Sequence, residues 1–309
     1  MKSTLKFYWE VIKETFAEWN RSSASRDAMS IAYCAIFSMP GLLIILIWLA
    51  GNFFGDEAVR GEISRQMSVA LSPDAAKGIE EMIAGALIDK ENIVMKTVGV
   101  LSLVFGATTL FFQLQKSLND LWDVEAAPRK AFVKFLLDRA NSLALIFIIG
   151  LILMVTMILS GVLSFLSTFV VERFGLETYT LMQILNIGIG FALVMLIFAA
   201  MFKVLPDVVV RWRAVWAGAL VTAVLFTLGK VLLSLYFGNF RPASAFGTAG
   251  TVVLIMLWIN YSSMIIFFGA EFTKVYSEKK GFGILPSRHA KWKPARELQQ
   301  IKQERAENI

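Results

Sequence analysis

Six long stretches free of Asp, Glu, Lys and Arg constrain this chain more than any other feature. They cover residues 28–55, 97–115, 140–171, 178–202, 214–229 and 242–270. Five of them hold at least 19 residues, the length that an α-helix needs to cross a hydrocarbon core of about 30 Å. The fifth stretch is interrupted only by Lys230, after which apolar residues resume. A core helix of a soluble protein turns one face to water, so these runs predict membrane spans.

The predicted fold class is all-α: a polytopic membrane protein with six transmembrane helices and an extracytoplasmic helical hairpin between spans 1 and 2. The spans fall at about residues 29–50, 97–115, 142–168, 181–202, 214–238 and 248–271. Composition agrees, because charged residues are 17% of the chain against about 25% in ordinary soluble domains. One membrane domain, residues 29–273, is therefore flanked by an N-terminal segment (1–28) and a basic tail (274–309).

The distribution of positive charge predicts the orientation. Of the 30 Lys and Arg residues, 22 fall on the side of the membrane that holds both termini and 7 on the other, with Lys230 inside a span. The positive-inside rule then puts both termini in the cytoplasm. The predicted partners are membrane lipids, with anionic headgroups attracted to the cytoplasmic face. No nucleic-acid partner is expected, and the oligomeric state, a homo-oligomer included, stays open.

The N-terminal segment is predicted to form an amphipathic helix. Apolar side chains recur at helical spacings of three and four: Leu5, Tyr8, Trp9, Ile12, Phe16 and Trp19. This stripe, with two tryptophans, suits a helix that lies in the cytoplasmic membrane interface. It suits equally a helix that packs against the bundle, and the sequence does not separate the two.

The outer loop, residues 56–96, carries eight acidic residues and two apolar stripes at helical spacing. Its second helix is predicted to start at Ser72-Pro73-Asp74, where Ser caps the helix and Pro takes the first helical position. The upstream stripe consists of Val59, Ile63, Met67 and Leu71. The hairpin is interpreted either as a lid over a cavity or as a packing cap or docking surface. At the other end of the chain, the tail has few apolar anchors and is expected to be disordered or bound to headgroups.

Polar groups inside apolar spans are costly, so they are the first candidates for function. The predicted substrate path consists of Lys230, Pro40, Asn119 and Asn260. Lys230 either reaches outward to headgroups and outer acids or lines a route for an anionic substrate. Pro40 removes a backbone hydrogen bond within the first span, which favours a kink beside a cavity. Glu271, at the end of the sixth span, is predicted to form a structural ion pair with Arg139.

The sequence shows no signature of an enzyme. Its single histidine, His289, lies in the tail, which excludes Ser-His-Asp and Cys-His machinery and His-rich metal sites. No GxxxxGK[ST] phosphate loop occurs. Asp120, Asp123 and Glu125 are the only cytoplasmic acid cluster. The chain is thus expected to be no enzyme and to hold no metal and no cofactor.

Several motifs, in this order, together resemble the YihY/virulence factor BrkB family of bacterial inner-membrane proteins. They are Tyr33…Phe37-Ser38-x-Pro40, Gln115…Leu118-Asn119…Trp122, Leu205-Pro206-Asp207, Trp216-x-Gly218-Ala219 with Gly229-Lys230, Phe246-Gly247…Gly250, and Trp258…Tyr261-Ser262-Ser263…Phe268-Gly269-Ala270-Glu271-Phe272. The resemblance covers residues 1 to about 277. It implies a six-span protein of the bacterial inner membrane with cytoplasmic termini. Some members of that family have carried a ribonuclease label, which nothing in these residues supports.

The leading functional hypothesis is a transporter or lipid translocase of the bacterial inner membrane without its own ATPase. The alternative is a non-transporting scaffold that recruits envelope partners through the tail and the outer hairpin. A solvated cavity that reaches the midplane would favour transport, and a solid core with an exposed apolar hairpin would favour a scaffold. A membrane-bound nuclease would need divalent-dependent RNA cleavage that depends on Asp120 and Asp123, and we expect none.

Overall fold

The structure is a computed structural model that describes residues 2–70, 76–81, 93–127, 136, 139–152, 154–155, 158–159, 177–240, 250–294 and 296–298. Some predictions fall outside these residues. They are the helix start at Ser72-Pro73-Asp74, the second half of the third span, most of the outer turn at 238–247, and the tail beyond residue 298.

Nine helices make up most of the described chain. They are α1 (Lys2–Arg21), α2 (Ala24–Phe54), α3 (Asp56–Ala70), α4 (76–81), α5 (Ile93–Leu121), α6 (Arg139–Ile152), α7 (Glu177–Val204), α8 (Trp212–Phe240) and α9 (Gly250–Lys279).

Four of the described helices are long and apolar enough to cross a membrane: α2, α8 as far as Phe237, α9, and Ile187–Val204 within α7. The predicted membrane-protein class is confirmed to this extent. The six-span count stays a prediction, because the second and third predicted spans fall partly on residues outside the described set.

The fold is mostly helical, as predicted, with four short strands that the sequence analysis did not predict. β1 (Val124–Ala126) pairs antiparallel with β4 (Ala290–Trp292), and β2 (Val208–Val209) pairs antiparallel with β3 (Leu285–Pro286). The expectation that the tail is disordered is therefore wrong for the segment that contains β3 and β4, and binding to headgroups stays a prediction. Backbone groups of the tail find their hydrogen-bond partners in segments that follow α5 and α7.

The core forms where α2, α5, α8 and α9 meet. The larger apolar cluster contains Trp122, Phe202 and Phe267 and extends to the strand ends. A second cluster lies at the other end of the bundle, where α3 turns its apolar stripe inward. Val59 and Ile63 of that stripe are 0% and 4% exposed. The described part of the outer loop therefore packs onto the bundle.

Helix α1 packs against the end of α9 and uses only part of the predicted stripe: Tyr8 stacks on Tyr276, and Trp19 contacts Phe268. Val11 and Thr15 are fully buried, and Val11 contacts Phe272 and Val275 of α9. Trp9 and Phe16, from the predicted stripe, remain 67% and 59% exposed. The helix thus has a packing face and, beside it, a separate exposed apolar stripe.

Candidate functional site

Helices α8 and α9 run antiparallel and in close contact. The contacts of their glycines show which residues of the two helices lie at the same height along the bundle. Gly218 on α8 faces Gly269 and Thr273 on α9, and further along α8 Gly229 faces the ring of Tyr261. A side chain at either glycine would overlap its neighbour across the interface. Lys230, which follows Gly229, therefore lies at the height of Asn260, which precedes Tyr261.

Pro40 lies in the same part of the bundle. Helix α2 runs through Pro40 without a break. The second apolar cluster contains Met39 next to Pro40, Ile259 next to Asn260, and Leu233 about one turn after Lys230. Helices α8 and α9 thus bring Lys230 and Asn260 to one level, and the apolar cluster that contains Met39 connects Pro40 of α2 to the same part of the bundle.

Two buried oxygen atoms at this level lack a protein partner. The Oδ1 atom of Asn260 and the Oγ atom of Ser262 are buried and have no hydrogen-bond partner among the described residues. Lys230, on the neighbouring helix, is half-buried. We call Lys230, Asn260 and Ser262 the polar layer. Asn260 and Ser262 are two positions apart on α9, so their side chains lie on different sides of that helix. Each of the two oxygens is therefore open to water or to a ligand on its own side of α9, at the height of Lys230.

Helix α3 brings further charge toward this layer. It contacts α8, and its Arg65 is the charged group that acts on Lys230. Arg65 donates two hydrogen bonds to Glu62, at 2.8 and 2.6 Å. Burial raises the pKa of Glu62, but the hydrogen bonds from Arg65 and Gln66 and the charge of Arg65 outweigh burial, so this pKa lies below its ordinary value. Glu62 therefore stays ionised and neutralises Arg65, which leaves Lys230 as the net positive charge.

Asn119, the fourth predicted path residue, lies at the end of α5, and both polar atoms of its side chain form hydrogen bonds. Its Nδ2 donates to Oδ2 of Asp207 at 2.9 Å, and the backbone N–H of Asp207 donates back to its Oδ1 at 2.8 Å. Both residues are buried. This reciprocal pair joins the end of α5 to the segment after α7, so its role is structural.

Glu271 is at the core of a second polar group, which we call the end knot (Trp122, Asp123, Glu271 and Lys274). Glu271 is 2% exposed, and Nζ of Lys274 lies 3.7 Å from its Oε2 atom. Lys274 also donates to the Leu121 carbonyl at 2.8 Å and to Oδ2 of Asp123 at 3.0 Å. Trp122 donates from Nε1 to the Ala270 carbonyl at 3.0 Å. The hydrogen bonds of the end knot therefore attach the end of α5 to α9.

Arg139, the predicted partner of Glu271, makes other contacts. Its guanidinium donates to the hydroxyl of Thr108 and lies over the ring of Phe105, 4.5 Å from the centroid. The cation that the structure gives Glu271 is Lys274. Sequence reasoning missed it, although a spacing of three on a helix favours an ion pair.

The acidic side chains that were considered as a nuclease site form ion pairs with Lys and Arg side chains. Asp120 pairs with Lys293 at 2.8 Å, Glu125 pairs with Lys291 at 3.0 Å, and Asp123 pairs with Lys274 and with Arg296. Within the described residues, no group of three His, Cys, Asp or Glu side chains is placed to hold a metal. These carboxylates hold the tail in place.

The model of the Virulence factor BrkB family matches residues 15–294. The chain belongs to this family. The match reaches beyond residue 277, where the resemblance read from the motifs ended, and it includes β3 and β4. The folded tail is therefore part of the BrkB family region.

Bacterial relatives of the BrkB-family chain are named only as membrane proteins. The UPF0761 membrane protein of Histophilus somni (strain 2336) is 24% identical over 285 residues, which is 89% of this chain and 92% of the relative. That of Psychromonas ingrahamii is 24% identical over 294 residues, 90% of this chain and 94% of the relative. No solved structure matches the chain. Membership in the family thus establishes an integral membrane protein and leaves its activity to be inferred from the polar layer.

Proposed function

We propose that this BrkB-family protein is a transporter or lipid translocase without its own ATPase. The observation that carries the proposal is the pair of unpartnered oxygens, Asn260 Oδ1 and Ser262 Oγ, at the level of Lys230. A polar atom left unsatisfied in hydrocarbon costs several kcal/mol. The layer therefore favours water or a polar substrate at that level, which is what a transport route needs.

The chemistry of the polar layer suits an anionic substrate with hydrogen-bond donors. Lys230 attracts the negative group, and the free acceptors of Asn260 and Ser262 can bind hydroxyl, ammonium or water donors. A lipid headgroup that contains phosphate and hydroxyl groups has both properties. Movement would be downhill or coupled to an ion gradient, and the proposal includes no catalytic reaction.

The scaffold alternative finds less support. Lys291, Lys293 and Arg296 of the described tail pair with acids at the end of α5 and in β1, and Val59 and Ile63 of α3 are buried. These residues are therefore not available for recruitment in the way a scaffold would require.

We further propose that the protein resides in the bacterial inner membrane with both termini in the cytoplasm. The excess of Lys and Arg on one side supports this orientation. The close approach of α1 to the end of α9 also supports it, since Glu14 and Lys279 pair at 2.7 Å and both chain ends then lie at the same face.

The proposal predicts that Lys230→Met slows lipid movement. The purified protein is reconstituted in liposomes that carry fluorescent anionic or zwitterionic lipids, and the loss of signal to an impermeant quencher is timed. We expect wild-type protein to accelerate movement of the anionic lipid, and Lys230→Met to slow it about tenfold, because the headgroup loses about 1.4 kcal/mol of attraction.

Lys230→Arg is the matched control, since it keeps the charge and should retain most of the rate. Arg65→Gln, on α3, should have a smaller effect because Glu62 already neutralises that residue. Wild-type protein that is folded yet moves no lipid above empty liposomes would reject lipid translocation and shift the weight to the scaffold. Equal rates for wild type and Lys230→Met would remove the residue from the route.

Hydration of the polar layer is tested independently of any substrate. In a Cys34→Ala background, Ser262→Cys is expected to react with a water-soluble, membrane-impermeant maleimide, because thiolate formation requires water. Thr222→Cys is the control, since the Thr222 hydroxyl is fully buried and donates to the Gly218 carbonyl at 2.7 Å. A Ser262→Cys thiol as inert as that at position 222 would mean that no water reaches the polar layer.

The orientation is tested with the same reagent. In intact spheroplasts, Lys13→Cys should stay unlabelled if the N-terminus is cytoplasmic.

A further inference from the structure

A cavity opens between the end of α1 and the start of α2, far along the chain from the polar layer. Its volume is about 470 Å³. Its lining consists of Arg21, Ser22, Ser23, Ser25, Arg26 and Met29. The lining residues of this open pocket include two arginines and three serines and no acid. The hydroxyl of Ser22 donates to the Trp19 carbonyl at 2.7 Å, and that of Ser23 donates to Asp27.

The arginines of this elbow pocket are available to a ligand. Arg26 is exposed and forms no ion pair with any residue that the structure describes. Arg21 touches Glu18 at 3.4 Å, but its side chain is 77% exposed, so water screens that contact. Asp27, next to Arg26 in the sequence, accepts a hydrogen bond from Ser23 at 2.7 Å. The pocket therefore offers positive charge that no protein group neutralises strongly.

An exposed apolar stripe begins at the pocket and runs along α2. Met29, Tyr33 and Phe37 lie on one helix face at spacings of four and are all exposed. They cover about 12 Å of the helix that forms the first candidate span. Since Met29 also lines the cavity, the basic pocket and the apolar stripe form one continuous surface.

Helix α1, which ends at the pocket, carries exposed apolar side chains. Trp9, Ile12 and Phe16 are large and exposed. Side chains of this kind favour the boundary between headgroups and hydrocarbon. The pocket therefore lies between a helix suited to that boundary and the exposed apolar face of α2, where a phospholipid's headgroup and acyl chain would lie.

We infer that the elbow pocket binds the headgroup phosphate of an anionic phospholipid, with an acyl chain along Met29, Tyr33 and Phe37. Guanidinium groups bind phosphate through paired, charge-assisted hydrogen bonds. A choline headgroup would bring its ammonium toward the same arginines, so a zwitterionic lipid fits less well. Free phosphate would leave the apolar stripe unused. The site does not depend on transport through the polar layer.

Native mass spectrometry of the full-length protein tests this site. The protein is purified in a mild detergent and mixed with phosphatidylglycerol or phosphatidylcholine of the same chain length, and the bound lipid is counted. We expect one phosphatidylglycerol to be retained in preference to phosphatidylcholine. The double variant Arg21→Gln/Arg26→Gln should bind it about tenfold more weakly.

The matched control is Lys6→Gln/Lys13→Gln, which removes the same charge from exposed positions of α1 outside the pocket. It should leave phosphatidylglycerol binding unchanged. Arg21→Lys/Arg26→Lys keeps the charge but loses the paired geometry, so it should bind with intermediate affinity. Phe37→Ser should weaken both lipids. Circular dichroism and gel filtration of each variant check that it is folded.

Three results would overturn the inference. One is equal loss of phosphatidylglycerol in the arginine and lysine double variants, which would indicate diffuse attraction to basic residues. Another is equal retention of phosphatidylcholine and phosphatidylglycerol by the wild type. The third is displacement of the lipid by millimolar inorganic phosphate, which would indicate an anion site with no lipid specificity.

Discussion

Replacing Lys274 with methionine is expected to cost the folded protein about 3–5 kcal/mol, the usual effect of removing one member of a buried ion pair. Lys274 is 6% exposed and lies beside Glu271, which is 2% exposed. The substitution leaves the Glu271 carboxylate buried without its cation. It also removes the hydrogen bonds from Lys274 to the Leu121 carbonyl and to Asp123, so the attachment of α5 to α9 weakens.

Thermal unfolding in detergent measures this effect, with a shift of about 2–4 °C for each kcal/mol. Lys274→Met/Glu271→Gln should recover a large part of the loss, because the unpaired charge is gone. Lys279→Met is the control: that lysine pairs with Glu14 at 2.7 Å, but both side chains are partly exposed, so its loss should cost under about 1 kcal/mol. Equal melting temperatures for Lys274→Met and Lys279→Met would mean that the folded protein is not stabilised by the cation beside Glu271.

The spans could be predicted from the sequence because the length and polarity of a helix decide whether it can cross the hydrocarbon core of a membrane. Four described helices match predicted spans on that basis. The predicted end of the last span, residue 271, lies within a helix: α9 continues to Lys279. Lys274 lies 3.7 Å from Glu271 and donates to the Leu121 carbonyl and to Asp123, so the charged residues at this end of α9 are held within the protein.

Contacts between distant segments could not be predicted. The strands at the tail are two or three residues long, too short for an alternating pattern to mark them. Asn119 looked like a polar residue on a route, but its partner Asp207 follows 88 residues later. Only the fold brings these groups together. Lys230 and Asn260 could be selected from the sequence because they stand out in apolar spans, whereas their common height and the unpartnered oxygen of Ser262 could be seen only in the structure.

Helix α1 shows how a periodic pattern can predict a helix and only part of its packing face, since Tyr8 and Trp19 contact α9 while Trp9 and Phe16 stay exposed. The aromatic stripe was the strongest signal, yet Val11 and Thr15 make the buried contact. Thr15 can be buried because its hydroxyl donates to the Val11 carbonyl at 2.7 Å, which hides its polarity. In a membrane protein, exposed apolar residues meet lipid, so the most apolar face need not face the core.

The close crossing of α8 and α9 gives the second large effect: Gly269→Ala is expected to destabilise the protein by about 1–3 kcal/mol or more. A Cβ atom at Gly269 would overlap the hydroxyl of Thr222 and lie 2.9 Å from the Cβ atom of Thr222. Thr222 cannot simply rotate away, because its hydroxyl is bonded to the Gly218 carbonyl at 2.7 Å. Thr273 faces Gly218 in the same manner, with its hydroxyl bonded to the Gly269 carbonyl at 2.8 Å.

Gly190→Ala in α7 is the matched control, because a Cβ atom there meets nothing within 4 Å. It should leave the melting temperature unchanged or raise it slightly, since alanine favours the helix over glycine. Gly269→Ala/Thr222→Ala removes the overlapping atoms and should regain part of the loss. A Gly269→Ala protein that melts like Gly190→Ala would mean that the two helices can separate. In that case the register that brings Lys230 level with Asn260 would not be fixed, and the polar layer would lose its geometric basis.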